Sequence, residues 1–259
     1  PRVSKSVESE IIDGIHYIWI KCPKYSSSGI LRIINILSFV LKLFIYKKKI
    51  VNFSKPDVVI ASSTYPLDIF PAHAISNISH AKLVFELHDM WPLTPIVIGG
   101  YSKYHPFILL MQYAEIYSCK HSNGYISLLG NAENYLLEHG LAKGKFVHIP
   151  NGFIEEEWNN VESILPVEFH SLFIKLRTMN QIIIGYAGGH GPSNALETLI
   201  NSSPQLEKMN CSIVLIGNGV CKEFLIKKVN GNKLKNVYFL PPVNKNQIPS
   251  LINYFDIAY

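Results

Sequence analysis

From Ile30 to Tyr46 the chain is almost uninterruptedly apolar, and its polar members Arg32, Asn35, Ser38 and Lys42 recur at intervals of three, three and four. That spacing predicts a helix with one narrow polar stripe. Elsewhere the apolar residues fall in short runs: 14–20, 58–61, 82–87, 124–128 and 146–149 in the first part of the chain, then 182–187, 212–216, 236–240 and 255–259. Runs this short, rich in β-branched residues and bounded by Gly, Pro, Asn and Ser, predict strands. Between them lie segments of helical pattern at 67–78, 107–120 and 131–139, the last stopped by Gly140, and later at 194–200, 220–229 and 246–253. Strands alternating with helices are the pattern of a doubly wound α/β fold. The alternation halts at Pro150-Asn151-Gly152, a turn signal, passes through an acidic irregular stretch from Glu155 to Phe169, and then restarts. Two domains are expected, 1–165 and 166–259, with a ligand cleft between them.

Composition narrows the classes of function. The 259 residues are 48% hydrophobic with a net charge of +5, enough for full cores and only mildly basic. No dense Arg/Lys cluster interleaves with aromatics, so nucleic-acid binding has little support and no nucleic acid is expected as a partner. Cys22, Cys119, Cys211 and Cys221 form no CxxC or Cys/His ligand pattern and fit buried thiols of a reducing, cytoplasmic compartment. No charged n-region with an apolar core and cleavage site follows Pro1, and the chain stops at Tyr259 inside an expected strand. A fragment is therefore expected. The helix at 30–46, about 17 residues long and interrupted by Arg and Lys, is too short and too charged for a membrane span. It either covers a sheet or lies in a membrane interface, with Lys47-Lys48-Lys49 as a basic collar and 30–50 as the contact segment.

Two places carry candidate chemistry. Gly188-Gly189-His190-Gly191-Pro192-Ser193-Asn194 links the strand at 182–187 to a helix that Ser193 or Asn194 is expected to cap. A strand, a glycine loop and a helix N-terminus favour a phosphate, because bare backbone approaches the anion and the helix dipole attracts it. His88-Asp89 follows the strand at 82–87, and in open parallel sheets ligands sit outside the carboxyl ends of strands. Asp89 is expected to orient His88 or to cap the next segment. No metal-ligand or nucleophile constellation stands out.

Taken in order, Glu86-Leu-His-Asp-Met-Trp-Pro92, Ile149-Pro-Asn-Gly152, Tyr186-Ala-Gly-Gly-His-Gly-Pro-Ser-Asn-Ala-Leu-Glu197, Val214-Leu-Ile-Gly-Asn-Gly-Val-Cys-Lys222 and Ile248-Pro-Ser-Leu-Ile-Asn-Tyr-Phe-Asp256 resemble glycosyltransferase family 4. The likeness extends from about residue 14 to the end and is to the bacterial surface-polysaccharide type. It implies a GT-B fold, two Rossmann-like doubly wound domains facing across a cleft, the second of them truncated. It also implies a retaining transfer, without metal or other cofactor, from a UDP- or GDP-sugar to a glycan or lipid-linked acceptor. Localisation would be cytoplasmic, peripheral at the inner membrane if 30–50 makes that contact. By the resemblance, His88 lies beside the donor sugar as the catalytic residue. Gly188, Gly189, His190, Gly191 and Asn194 face the donor diphosphate, Lys222 points toward phosphate or nucleotide, and the Val243 backbone meets the nucleobase.

The chain departs from the family where many members place an Arg and a Lys after the glycine loop; here stand His190, Ser193 and Asn194. The family's two-glutamate motif is expected beyond Asp256 and its first strand with a glycine loop before Pro1, so the fragment by itself is expected to be inactive. Two other readings stay open. Gly185-Tyr-Ala-Gly188-Gly-His-Gly191 also spells the glycine pattern of a NAD-dependent short-chain dehydrogenase or epimerase, but Ile213-Val-Leu-Ile-Gly-Asn218 supplies no acid for the ribose. The other is a non-catalytic nucleotide-sugar-binding protein.

Overall fold

The computed structural model describes residues 5–24, 29–159 and 164–259. Its contacts divide the chain into two compact units, Pro1–Asn151 and Gly152–Tyr259. The division falls at the Pro150-Asn151-Gly152 turn, whereas the sequence reading drew the boundary at 165/166. Leu165, at that expected boundary, is already buried in the core of the second unit.

The first unit opens with an antiparallel hairpin, β1 (Val7–Ile12) and β2 (Ile15–Ile20). Asp13 and Gly14 turn it with φ of 51° and 77°, the left-handed pair of a tight hairpin turn. The sequence reading saw β2 but not β1, whose Val-Glu-Ser-Glu-Ile-Ile lacks strict alternation. The helix α1 (Ile30–Ser54) continues past Tyr46, so the three lysines lie within it. Its polar stripe also faces differently from a solvated one. Asn35 Nδ2 donates to the Pro23 carbonyl at 2.7 Å and Lys42 Nζ donates to that of Lys21. These polar groups hold the chain beyond β2, while Ile30, Ile34, Leu37, Leu41 and Ile45 are exposed.

There follow β3 (Val58–Ser63), α2 (Ile69–Ser79), β4 (Lys82–Leu87), α3 (Leu93–Val97), α4 (Pro106–His121), β5 (Gly124–Ser127), α5 (Ala132–Glu138) and β6 (Phe146–His148). The strands form a parallel sheet in the order β3-β4-β5-β6. Strand alternation gives this sheet a closed and an open face. Ala61, Leu83, Phe85, Leu87 and Tyr125 are buried in one core with Ile69, Met111 and Leu136 of the helices. Val58, Ile60 and Ser62, of the other parity, are exposed.

The second unit contains α6 (Glu155–Asn159), α7 (Val167–Thr178), β7 (Ile182–Ala187), α8 (Leu196–Lys208), β8 (Cys211–Ile216), α9 (Lys222–Gly231), β9 (Val237–Leu240), α10 (Ile248–Ile252) and β10 (Ile257–Ala258). Its parallel sheet has the order β10-β7-β8-β9. Every residue of β8 is buried, because helices cover both faces. Cys211, Ile213 and Leu215 pack with Leu199, Ile200 and Leu225, and Val214 and Ile216 pack with Phe169, Phe173 and Leu251. The end of the chain is pinned to β7: the Asp256 carboxylate accepts from the Ile183 amide at 2.7 Å and from Arg177 Nη1 at 2.7 and 2.9 Å. The amide, followed by the guanidinium, holds this carboxyl below the usual carboxylate range.

The loops that leave β7 and β8 lock together through their main chains. Gly188 donates its N–H to the Ile216 carbonyl, His190 to that of Asn218, and Cys221 to that of His190, each at 2.9 Å. Gly217 has φ of 138°, and a Cβ there would lie 1.9 Å from the Gly188 oxygen; one on Gly219 would lie 2.5 Å from the His190 oxygen. Both positions require glycine. Gly217→Ala should cost about 2–4 kcal/mol of stability, from strain and overpacking together. It would be read as a lower urea midpoint at constant slope. Gly189→Ala, whose methyl would meet only Asn194 Nδ2 at 4.0 Å, should leave the midpoint in place; equal midpoints for the two variants would refute the interlock.

Candidate functional site

In the second unit a cavity of about 330 Å³ opens where β7, β8 and β9 end. It is lined by Ala187, Gly188, Gly189, Ile216, Gly217, Asn218, Pro242, Val243 and Ile248. Of the residues singled out in the sequence, Gly188, Gly189 and Val243 meet here. Its wall at the loops is largely glycine main chain, so a ligand can approach the backbone without a side chain between.

The other singled-out residues do not line this cavity. Asn194 Nδ2 donates to the Gly189 carbonyl at 2.6 Å, alongside Tyr186 Oη at 2.8 Å, and so shapes the loop from within. Neither Ser193 nor Asn194 caps the following helix. Gly191 leads into a 3₁₀ turn at Pro192–Asn194, and α8 begins after Ala195, at φ of 50°, with no side-chain cap. His190 was expected at the ligand, yet its ring is fully buried among Tyr186 and Phe239. Burial, and then the charge of Lys222, lower its basicity and keep the imidazole neutral. Lys222 Nζ donates to the carbonyls of Gly217 at 2.7 Å and Leu240 at 3.2 Å, tying the end of β9 to the loop after β8. Two of its three N–H groups are thereby used.

In the first unit the sheet's open face carries a second cluster. Ser62 of β3 is paired in register with Glu86 of β4. His88, two residues beyond Glu86 and of the same parity, follows the end of that strand. Ser62 Oγ lies 2.9 Å from His88 Nε2, and Glu86 Oε2 lies 3.5 Å from the same nitrogen. Asp89 does not orient His88: its Oδ1 accepts from the Met90 amide at 2.8 Å and Thr94 Oγ1 at 2.7 Å, and so fixes the start of α3. The sequence reading missed Ser62 and Glu86 as functional residues. Their signal was available in the alternation of β3 and β4, whose polar members fall at the carboxyl ends on one face.

Asp68 is the other residue the sequence reading passed over. It closes the 3₁₀ turn Pro66–Asp68 ahead of α2, is only 7% exposed, and has no hydrogen-bond partner at Oδ1 among the described residues. Burial pushes its carboxyl up from 3.8 to about 6, against the lowering effects of the Ser63 hydroxyl and the charge of His88. A buried acid in electrostatic contact with a strand-end histidine costs stability, which makes it a candidate for a functional role. Because the folded state raises this pKa, its contribution to stability is full below about 4 and is lost as pH climbs through about 6. Asp68→Asn should therefore be more stable than the wild type at pH 7 by about 2–3 kcal/mol, the difference vanishing at pH 4 and below. Urea unfolding at the two pH values measures it, and a wild type at least as stable as the variant at pH 7 would show that the carboxylate is paired.

Among the described residues no three His, Cys, Asp or Glu side chains are grouped to hold a metal ion. Comparisons with protein-family models and with curated proteins give no match. Solved structures do match. Sucrose-phosphate synthase from Thermosynechococcus elongatus aligns with a TM-score of 0.69 over 98% of this chain and 61% of its own, at 14% identity. HepE of Anabaena, crystallised with UDP and glucose, aligns with a TM-score of 0.59 over 82% of this chain and 55% of its own, at 18% identity. A putative UDP-N-acetylglucosamine 2-epimerase from Listeria monocytogenes aligns at 0.53 over 86% and 57%, at 11% identity. The chain thus spans between 55% and 61% of the length of these proteins. What it shares with them is the fold: an α/β chain of two Rossmann-like units with parallel sheets, of the GT-B class.

Proposed function

We propose that this protein is a glycosyltransferase that moves a sugar from a UDP- or GDP-sugar to a glycan or lipid-linked acceptor, with retention at the anomeric carbon, in bacterial surface-polysaccharide assembly. The observation that carries the reading is the cavity at the ends of β7, β8 and β9, walled by the main chain of Gly188, Gly189 and Gly217 with Val243 at its edge. In this reading the diphosphate lies against the glycine main chain and the nucleobase against the backbone at Val243. The unused N–H of Lys222 supplies charge nearby, and no resident metal or organic cofactor takes part. His88 meets the donor sugar and stabilises the charge that develops as the nucleoside diphosphate leaves. The dehydrogenase reading has less support, since β8 ends in Ile216-Gly217-Asn218 without an acid to hold a ribose.

The protein should bind UDP or GDP in calorimetry and transfer sugar to a lipid-linked acceptor. Gly189→Ala, with its methyl in the cavity wall and its fold intact, should weaken nucleotide binding about tenfold. His88→Ala should lose about 2–4 kcal/mol of transition-state stabilisation, tens to about a thousandfold in turnover. Undiminished turnover in His88→Ala, or hydride transfer with NAD, would reject the reading.

The same proposal gives α1 an anionic lipid surface as its partner. No described helix is long and apolar enough to cross a membrane. Yet Ile30, Ile34, Leu37, Leu41 and Ile45 form one exposed stripe at intervals of three and four, and exposed Lys48 continues it at the next turn beside Lys49. An apolar stripe ending in basic residues suits a helix lying in an interface. Sedimentation with anionic vesicles should fall about a hundredfold in affinity when Lys47, Lys48 and Lys49 become Gln. It should also fall with added salt and when Ile34 and Leu41 become Ser; binding insensitive to all three changes would reject the contact.

A further inference from the structure

We propose that Glu86 is the positioning residue of His88, its carboxylate holding the proton on Nε2 so that an unprotonated Nδ1 is presented to a ligand hydroxyl. Nε2 is where the protein's contacts converge. Ser62 Oγ is 2.9 Å away and Glu86 Oε2 3.5 Å away, whereas Nδ1 has no hydrogen-bond partner among the described residues. Ser62 alone leaves the tautomer open, because a hydroxyl rotates and either donates or accepts. A carboxylate accepts only, and its negative charge favours a proton on the nitrogen it faces. Ser62 Oγ then accepts from Nε2–H as well.

The strands enforce this arrangement. Ser62 and Glu86 are register partners in a parallel pair, and Glu86 and His88 share one parity, so all three belong to the open face of the sheet. The other charged group that acts on the imidazole is Asp68, ahead of α2. Asp68 acts on the ring through its charge, with no hydrogen bond or ion pair to it among the described residues, so Glu86 is the carboxylate in contact with the ring. About a third of the side chain of each of His88 and Glu86 is exposed, at 35% and 38%, which leaves room for a ligand at the ring. A neutral imidazole offering the Nδ1 lone pair accepts a hydrogen bond; it cannot donate one there until it is protonated. The chemical class it selects is a hydroxyl donor. Its identification as a hydroxyl of the donor sugar rests on the glycosyltransferase reading above.

The test is a ring-¹⁵N histidine spectrum of this chain at a pH where the imidazole is neutral, with the His88 signals assigned by their loss in His88→Asn. The expected pattern is a protonated, pyrrole-like Nε2 and an unprotonated, pyridine-like Nδ1. Glu86→Gln should shift it toward the Nδ1–H form, while Glu86→Asp and Ser62→Ala should keep the wild-type form. A wild-type Nδ1–H tautomer, or no change in Glu86→Gln with folding intact by circular dichroism, overturns the proposal. In transfer assays Glu86→Gln should lower kcat by about tenfold to a hundredfold with KM little changed, as for the hydrogen-bond partners that orient metal-bound histidines, and Glu86→Asp should recover part of it. An unchanged kcat beside a changed tautomer removes the positioning role. The expected tautomer in a protein that transfers no sugar supports the assignment made here and rejects the glycosyltransferase reading instead.

Discussion

Gly217 cannot carry a side chain, because its neighbour in space is not another side chain but the carbonyl of Gly188. That contact, with the three main-chain hydrogen bonds between the loops after β7 and β8, makes the two loops a single rigid piece. The rest of the second unit is arranged to support it. β8 is buried along its whole length so that its end is held, and Lys222 fixes the loop after it to the end of β9. On the other edge Asp256 and Arg177 pin the chain beside β7, where Phe255 packs on Gly185 too closely for any Cβ. The cavity at the strand ends is therefore preformed, with its glycine walls held by packing beneath them rather than by a ligand.

The first unit places its chemistry by a different rule. One parity of β3 and β4 is buried in the core and the other is left open, and the open parity ends in Ser62, Glu86 and His88. Beside them Asp68 is buried with an oxygen unsatisfied, in a state whose cost rises with pH. A chain selected only for stability would place Asn or an apolar residue there. The burden is concentrated around His88, a strand-end histidine in contact with a carboxylate and a hydroxyl, which is why this cluster is read as functional.

Lys222 and His190 show how a strand, glycine loop and helix pattern divides into structural and cavity-lining residues. His190 stands between two glycines and Lys222 three residues after Gly219, and both were expected at the ligand. In the fold, His190 becomes the neutral, buried anchor of the loop interlock, and Lys222 spends two of its three N–H groups on main-chain carbonyls. What reaches the cavity from this stretch is backbone, at Gly188 and Gly189. That suits a chain lacking the Arg and Lys pair that follows this loop in many proteins it resembles.

The sequence by itself determined the fold class, the positions of most strands and helices, though not of β1, α3, α6 or α7, and the glycine loop and His88 at strand ends. These follow from local periodicity and from glycine and proline punctuation, which act over a few residues. It also carried the Asp13-Gly14 turn that betrays β1, although the polar run of Val7-Glu-Ser-Glu hid the strand. Tertiary structure alone decided which face of α1 is covered. Asn35 and Lys42 of the polar stripe are used on main-chain carbonyls after β2, Ile36 and Val40 pack into the core, and a further apolar stripe is left outside. It alone brought Ser62 and Asp68 to the Glu86–His88 pair, because these two come from β3 and the turn after it, and only the pairing of β3 with β4 sets their distances. Periodicity gives a residue's face within its own element; which neighbour that face meets is a long-range contact, fixed only when the sheet assembles.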